Sequence, residues 1–159
     1  MIPDLINLPG APWQVLPAGI WEATLKEVEQ RFAYNDHRRF LFNGICRVCD
    51  SLAAAGVGYI LLDGSYVTAK PLPSDFDGCW YPTEAVNKKK LDPVLLDFSN
   101  KRKAQKEKYG GELFIATDGA GNGLFFEDFF QIEPMSAKAK GIIKINLHEL
   151  PRANIGESR

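Results

Sequence analysis

Asp75 and Asp77 stand one residue apart in DFDGCWY, residues 75–81, a segment that otherwise has the composition of a buried β-strand. Side chains alternate between the two faces of a strand, so the two carboxylates and Cys79 share one face. At ~3.4 Å per residue the carboxylates are about 7 Å apart along the backbone. Burying two like charges is unfavourable unless something cancels them. The segment therefore indicates a pair of ligands for a hard cation such as Mg²⁺.

A second motif precedes the aspartates. GYILLD, residues 58–63, is short, apolar and β-prone, and we predict a buried strand that ends at Gly64 and Ser65. A Gly-Ser turn can offer backbone N–H groups and a hydroxyl to phosphate oxygens, and Thr68 and Lys70 can add a hydroxyl and a cation. Mg²⁺ held by carboxylates normally shares its ligands with substrate phosphates. The two motifs are therefore chemically complementary.

A plainer interpretation of the aspartates also exists. Asp75 follows Pro73 and Ser74, and an aspartate in that context can stabilise a turn through its own backbone. The order and spacing of the two motifs, each at a strand end and joined by a short proline-containing connection, favour the functional interpretation.

The arrangement resembles a known signature. Gly64-Ser65, nine intervening residues and Asp75-Phe76-Asp77 resemble the motif of the nucleotidyltransferase superfamily, which includes DNA polymerase β and the minimal nucleotidyltransferases of toxin–antitoxin pairs. The strings AGVGYILLD, GSYVTAKPLPSDFDG and KGIIKINL are similar to a family of uncharacterised bacterial and phage nucleotidyltransferase-like proteins. This resemblance spans most of the chain.

The resemblance implies an α+β fold with a small mixed sheet flanked by helices. It also implies that Ser65 contacts the nucleotide's phosphates and that Asp75 and Asp77 bind Mg²⁺ or Mn²⁺. A third carboxylate is expected from a later strand, where the superfamily usually has aspartate. Glu112, at the start of ELFIAT, is the carboxylate of this sequence in a suitable place.

The implied function is transfer of a nucleoside monophosphate from an NTP to a hydroxyl on a protein or an RNA. The implied setting is a toxin–antitoxin or phage-defence system with a cognate toxin or antitoxin as partner. The alternative is a catalytically degenerate nucleotidyltransferase fold that acts as a nucleotide-binding or antitoxin-like module. The lack of a clear third aspartate and of a separate domain for an acceptor favours this alternative.

Composition adds exclusions. A net charge of −1 and a pI near 6.1 give no general reason to bind nucleic acid or membranes, and no stretch is long and apolar enough to span a bilayer. We therefore expect a cytoplasmic protein.

Cys46 and Cys49 form a CxxC inside a predicted helix and are interpreted as small buried apolar residues. The lysines and arginines of residues 88–108 are interpreted as a solvated helix face in preference to a patch that meets a triphosphate or an RNA acceptor.

The remaining elements follow from apolar periodicity and capping signals. We predict an extended arm over residues 1–17, one domain over 18–150 and a loose tail over 151–159. Helices are predicted over residues 18–32, 36–55 with Asn35 or Asp36 as N-cap, 92–110 and, in an aromatic segment, 124–133. A short helix is predicted over 83–90, and further strands over 112–117 and 141–147. The predicted buried stripe of the second helix is Phe40, Leu41, Ile45, Val48 and Leu52.

Overall fold

The computed structural model describes residues 1–116 and 131–150, and this part of the chain forms one five-stranded mixed sheet with helices. The strands are β1 Gly19–Glu22, β2 Tyr59–Asp63, β3 Phe76–Trp80, β4 Gly111–Ile115 and β5 Gly141–Asn146. The helices are α1 Leu25–Phe32, α2 Asp36–Ala54 and α3 Ser99–Tyr109. The α+β class and the four predicted strands are confirmed. The predicted 124–133 helix and the tail lie largely or wholly outside the described residues.

The strand order is β1-β5-β2-β3-β4, and β2 runs antiparallel to every other strand. The carboxyl end of β2 therefore lies beside the amino ends of β3, β4 and β5, at the same end of the sheet. This topology brings Asp63 and the Gly64-Ser65 turn beside the first residues of three other strands. The two motifs of the sequence are neighbours for this reason.

The helices cover one face of the sheet. Alternate strand residues such as Leu62, Phe76 and Leu113 belong to the main core with the apolar sides of α1 and α2. A smaller cluster on the opposite face contains Leu61 and Cys79. Because side chains alternate along each strand, Asp63 and Asp77 lie on the face of this smaller cluster, opposite α1 and α2, and Arg102 and Lys106 of α3 reach this face at β4.

The predicted helix over residues 18–32 is wrong in its first half. Residues Gly19–Glu22 form β1, which pairs in parallel with β5 at the sheet edge. The helix begins only after Thr24, whose hydroxyl accepts a hydrogen bond from the Glu27 N–H at 3.1 Å while the Glu27 carboxylate accepts one from the Thr24 N–H at 3.1 Å. This capping box sets the start of the helix. The residues before it form a strand because they pair with β5, which is distant in the sequence.

Helix α2 confirms the prediction for residues 36–55 to within one residue, with Asn35 as its N-cap. Its predicted stripe is right except at Phe40, which is 65% exposed, whereas Phe42 is buried. The side chains of Cys46 and Cys49 are fully buried and unbridged. In the described part of the chain, no helix is long and apolar enough to cross a membrane.

The predicted helix over residues 92–110 is divided. A 3₁₀ turn, Pro93–Leu96, comes first, and α3 follows and ends at Gly110, whose φ is 84°. Three residues near the start of α3, Asn100 to Arg102, have left-handed backbone angles. The short helix predicted over 83–90 is reduced to the 3₁₀ turn Lys88–Lys90.

The arm over residues 1–17 is extended and joins the domain through isolated β-bridges. Ile6 bridges to Val15, and Val15 bridges in turn to Thr68. Val15 and Leu16 are buried, so the end of the arm packs against the connection between β2 and β3.

Candidate functional site

Three acidic residues lie side by side on neighbouring strands, at the end of the sheet where β2 finishes and β3 and β4 begin. Asp63 is the register partner of Asp77 across the antiparallel β2–β3 pair, and Asp77 is the register partner of Glu112 across the parallel β3–β4 pair. Paired residues on neighbouring strands carry their side chains on the same face. Asp75, just before β3, is close enough for its charge to raise the pKa of Asp77. These four residues are the carboxylate cluster.

Gly64 brings the turn after β2 into direct contact with the cluster. Its φ is 80°, in the region that favours glycine. A Cβ atom at this position would lie 3.0 Å from the Asp77 Cγ and 3.1 Å from its Cβ, and nearer still to Oδ2. The sequence motif predicts that this glycine leaves room for a ligand. In the structure, the carboxylate of Asp77 takes that room.

Replacing Gly64 with alanine is expected to lower the free energy of unfolding by about 2–4 kcal/mol, because a left-handed backbone penalty of about 1 kcal/mol adds to the overlap with Asp77. Gly110 provides a control for a positive φ, since its φ is 84° and a Cβ there would meet only the tip of Leu41 at 3.3 Å, but its ψ of 16° is one that alanine tolerates better than the ψ of −168° at Gly64. Gly110→Ala should cost about 1 kcal/mol. Urea unfolding measures both, and equal losses would contradict the contact with Asp77.

The predicted phosphate-binding residues lie on the turn that follows Gly64. The main-chain oxygen of Ser65 accepts hydrogen bonds from the Thr68 N–H at 3.2 Å and the Thr68 hydroxyl at 2.7 Å. The Thr68 hydroxyl also accepts from the Lys70 N–H at 3.1 Å, and Thr68 is only 7% exposed. Thr68 therefore shapes the turn, and its predicted contact with a nucleotide would compete with these bonds. Ser65 and Lys70 are partly exposed.

Arg38, in the first turn of α2, donates hydrogen bonds to the backbone of the connection between β2 and β3. Its side chain is fully buried, and its guanidinium donates to the main-chain oxygens of Phe32 at 3.0 Å, Tyr66 at 2.7 Å, Thr68 at 2.7 Å and Lys70 at 3.1 Å. It also lies 4.7 Å from the ring centroid of Tyr34 and 5.1 Å from that of Tyr66. Burial lowers the pKa of Arg38, while these rings oppose the shift. The arginine fixes the backbone that presents Ser65.

The cluster is electrostatically strained. Burial raises the pKa of Asp77 to about 7, and the like charges of the other three members act in the same direction. Burial and the charge of Glu112 also raise the pKa of Asp75, against the attraction of Lys106 and Lys70. The cluster would therefore be stabilised by an added positive charge.

Two members of the cluster already have cationic partners. Asp63 forms a buried ion pair with Lys140, and Glu112 pairs with Lys106 at 2.6 Å and Arg102 at 3.5 Å. Burial raises the pKa of Asp63, and Lys140 opposes that shift. Among the ion pairs of residues 1–116 and 131–150, none involves Asp75 or Asp77. Asp75 and Asp77, two of the three predicted metal ligands, are thus the members of the cluster without an ion pair there, although Lys106 and Lys70 attract Asp75 and Lys140 attracts Asp77 from a longer distance.

The described residues contain no group of three or more His, Cys, Asp or Glu side chains placed to hold a metal ion. Mg²⁺ needs no such group, because it is commonly bound through one or two carboxylates together with substrate phosphates and water. Asp75 and Asp77 supply two carboxylates in a region of excess negative charge. They fit a divalent cation that binds with a nucleotide, and the role of Glu112 as third ligand stays a prediction.

Sequence reasoning missed the residues that surround the motif. Asp63 closes the apolar run YILLD, and its place directly before Gly-Ser was the available signal. No sequence signal pointed to Lys140 or Arg38, because the partners of each side chain lie on strands or loops that are distant in the sequence. Lys106 and Arg102 were assigned to a solvated helix face, but both reach Glu112.

Comparison with known proteins places the chain in a family. Residues 11–146 match the model of a family of unknown function, DUF6932. The chain belongs to the DUF6932 family. The matched region contains the whole carboxylate cluster, the Gly64 turn and Arg38. These features therefore lie within the part of the chain that matches the DUF6932 family model.

One partial relative and no solved structure accompany this match. The chain is 35% identical over 72 residues to vacuolar protein sorting/targeting protein 10 of Chaetomium globosum, a stretch of 45% of this chain and 5% of that protein. The chain therefore spans a small fraction of that relative's length. No solved structure matches the chain.

Proposed function

We propose that this DUF6932 protein is a Mg²⁺-dependent nucleotidyltransferase-like enzyme that transfers a nucleoside monophosphate from an NTP to a hydroxyl on a protein or an RNA. The observation that carries the proposal is the contact between the Gly64 turn and Asp77, in a cluster whose Asp75 and Asp77 form no ion pair among the described residues. A phosphate-binding turn and a pair of cation ligands are thereby adjacent.

The chain's own residues would bind and orient the nucleotide. Asp75 and Asp77 would hold the cation, and the backbone N–H and hydroxyl of Ser65 would donate to the phosphates, since the Gly64 N–H already donates to the Asp63 carboxylate. A bound divalent cation neutralises charge on the triphosphate and favours attack by the acceptor oxygen. In the transfer, that oxygen forms a bond to the α-phosphorus, the bond from the α-phosphorus to the oxygen that bridges it to the β-phosphorus breaks and releases pyrophosphate, and the acceptor's proton passes to water.

A second function is favoured by a specific observation. Both carboxylate oxygens of Glu112 already have cationic partners, so the predicted third ligand is engaged within the protein. A catalytically degenerate module, which binds nucleotide or acts as an antitoxin-like partner of another protein without transferring a group, is consistent with that pairing. The two functions share nucleotide binding and differ in turnover.

Incubation of the purified protein with each α-³²P-labelled NTP, Mg²⁺ or Mn²⁺ and a bacterial lysate tests the enzyme hypothesis. We expect label to become attached to a macromolecule, and nuclease or protease treatment identifies it as RNA or protein. Asp77→Asn should abolish the transfer, because it removes a cation ligand. Lys103→Gln, on the exposed side of α3, is the control and should retain it.

The remaining outcomes separate the alternatives. Absence of label together with an NTP-dependent rise in melting temperature would support the degenerate module, since a ligand at 100 times its Kd adds about 2.7 kcal/mol to stability. Label that persists in Asp77→Asn would contradict the proposed site. A purely structural partner protein would show neither label nor a thermal shift.

A further inference from the structure

The start of α3 has an unusual backbone. Asn100, Lys101 and Arg102 have φ values of 52°, 57° and 62°, the left-handed region that L-residues other than glycine seldom occupy in succession. Such conformations persist where the surrounding structure enforces them, and they concentrate at functional sites. The segment delivers Arg102 toward the sheet.

Arg102 lies across the face that carries the carboxylate cluster. Its guanidinium carbon is 4.7 Å from the ring centroid of Phe114, which stands two residues after Glu112 on β4 and so shares its face. Its Nε is 3.5 Å from a Glu112 oxygen but is buried and makes no hydrogen bond in the described structure. The side chain is 25% exposed. Arg102 thus has one buried, unsatisfied donor beside Glu112 and a guanidinium-bearing side chain that is partly exposed next to the cluster.

Lys106 lies on the same side of α3, one helical turn further along. Its Nζ is 2.6 Å from Glu112, its side chain is 39% exposed, and its charge acts on Asp75. Lys70 acts on Asp75 as well. Lys106 and Lys70 therefore act on Asp75, one of the two carboxylates that we assign to the metal, and Arg102 lies beside Glu112 of the same cluster. Glu112, the partner of Arg102 and Lys106, fixes these α3 cations in place.

We infer that Arg102 and Lys106 bind the polyphosphate of the nucleotide, and that Glu112 holds these two side chains instead of serving as the third metal ligand. The inference deepens the proposed function and rests on it for the identity of the ligand. Guanidinium and ammonium groups are the usual protein donors to phosphate oxygens. A triphosphate whose α-phosphate lies at the carboxylates can extend toward α3, where these donors are partly exposed.

The test uses inorganic tripolyphosphate without metal and Mn²⁺ alone, each measured by titration calorimetry. Arg102→Gln and Lys106→Gln are expected to weaken tripolyphosphate binding tenfold or more while leaving Mn²⁺ affinity undiminished. Lys103→Gln is the matched control, because Lys103 lies on the same helix but pairs at 3.8 Å with Glu107 and is 69% exposed. It should change tripolyphosphate affinity by less than twofold. Circular dichroism melting checks that each variant is folded.

Glu112→Gln completes the test and should lower Mn²⁺ affinity by much less than Asp77→Asn does, because it removes a neighbouring charge and not a ligand. A loss of Mn²⁺ affinity as large as in Asp77→Asn would make Glu112 a metal ligand and overturn the inference. Tripolyphosphate affinity that is equal in Lys106→Gln and Lys103→Gln would overturn it too, as would binding of an RNA oligonucleotide but not of tripolyphosphate. If the two α3 variants lose tripolyphosphate and no NTP transfer occurs, the inference stands and the transferase function falls.

Discussion

Replacing Asp77 with asparagine is expected to stabilise the protein at pH 8 by about 2 kcal/mol while abolishing cation-dependent nucleotide binding. Burial and the neighbouring carboxylates raise the pKa of Asp77 from 3.8 to about 7, a difference that corresponds to roughly 4 kcal/mol against the ionised form. Asparagine removes the charge but must place an NH₂ group where an oxygen lay, so about half of that energy should be recovered.

The difference in the free energy of unfolding between Asp77→Asn and the unmodified protein should depend on pH. Below about pH 4 Asp77 is protonated in both the folded and the unfolded protein, so the variant should have no electrostatic advantage there. Between pH 4 and pH 7 only the unfolded state releases the proton, and the stability of the unmodified protein falls as pH rises. The advantage of Asp77→Asn should therefore grow through this interval and stay constant above pH 7. Urea unfolding in EDTA at several pH values measures it.

Asp92→Asn is the matched control, with the opposite sign. Burial acts to raise the pKa of Asp92, but hydrogen bonds from Lys108 and Tyr109 outweigh it and lower the pKa. Its carboxylate accepts a bond from the Tyr109 hydroxyl at 2.5 Å and one from the Val94 N–H at 3.0 Å. Neutralising it should lower stability at pH 8. A loss of stability in Asp77→Asn as well would contradict the strained cluster.

The second large effect is expected at Arg38. Replacing it with leucine should lower the free energy of unfolding by about 3–5 kcal/mol, because several buried main-chain oxygens lose their donor at once. In a chain of 159 residues, that loss should lower the melting temperature by about 10 °C. Lysine should not restore it, since a single ammonium group cannot reach the separate oxygens that the planar guanidinium contacts.

The neighbouring arginine supplies the control for this experiment. Arg39 is 54% exposed, and its ion pair is with Asp36, which is fully exposed. Arg39→Leu should therefore change stability by less than about 0.5 kcal/mol. Calorimetric melting of both variants makes the comparison. Similar losses at the two positions would show that helix composition, and not the buried hydrogen bonds, sets the effect.

Together these two predictions describe a site in which stability and function oppose each other. Arg38 fixes the turn after Gly64 from the α2 side, and Gly64 contacts Asp77 on the opposite face of the sheet. The carboxylates remain close although their repulsion destabilises the fold. Such a retained cost is common where a protein needs a preorganised charge for a ligand. Stability gained by Asp77→Asn together with lost binding would demonstrate that relation.

The sequence determined the local features of this protein. Apolar runs bounded by glycine and proline identified four of the strands, and the Asn35 cap and apolar spacing identified α2, because these signals act over a few residues. The Gly64-Ser65 and Asp75-Asp77 motifs were likewise visible, since each is contiguous. The alternation of side chains along a strand was enough to place the two aspartates on one face.

Only the tertiary structure decided what those motifs meet. Strand β1 was missed because its pairing with β5 outweighs a helical pattern of side chains. Register alone brought Asp63 and Glu112 to either side of Asp77, and packing of distant segments supplied Arg38, Lys140 and the left-handed start of α3. The physical reason is that pairing, burial and charge compensation are set by residues far apart in the chain, whereas periodicity and capping are set by neighbours.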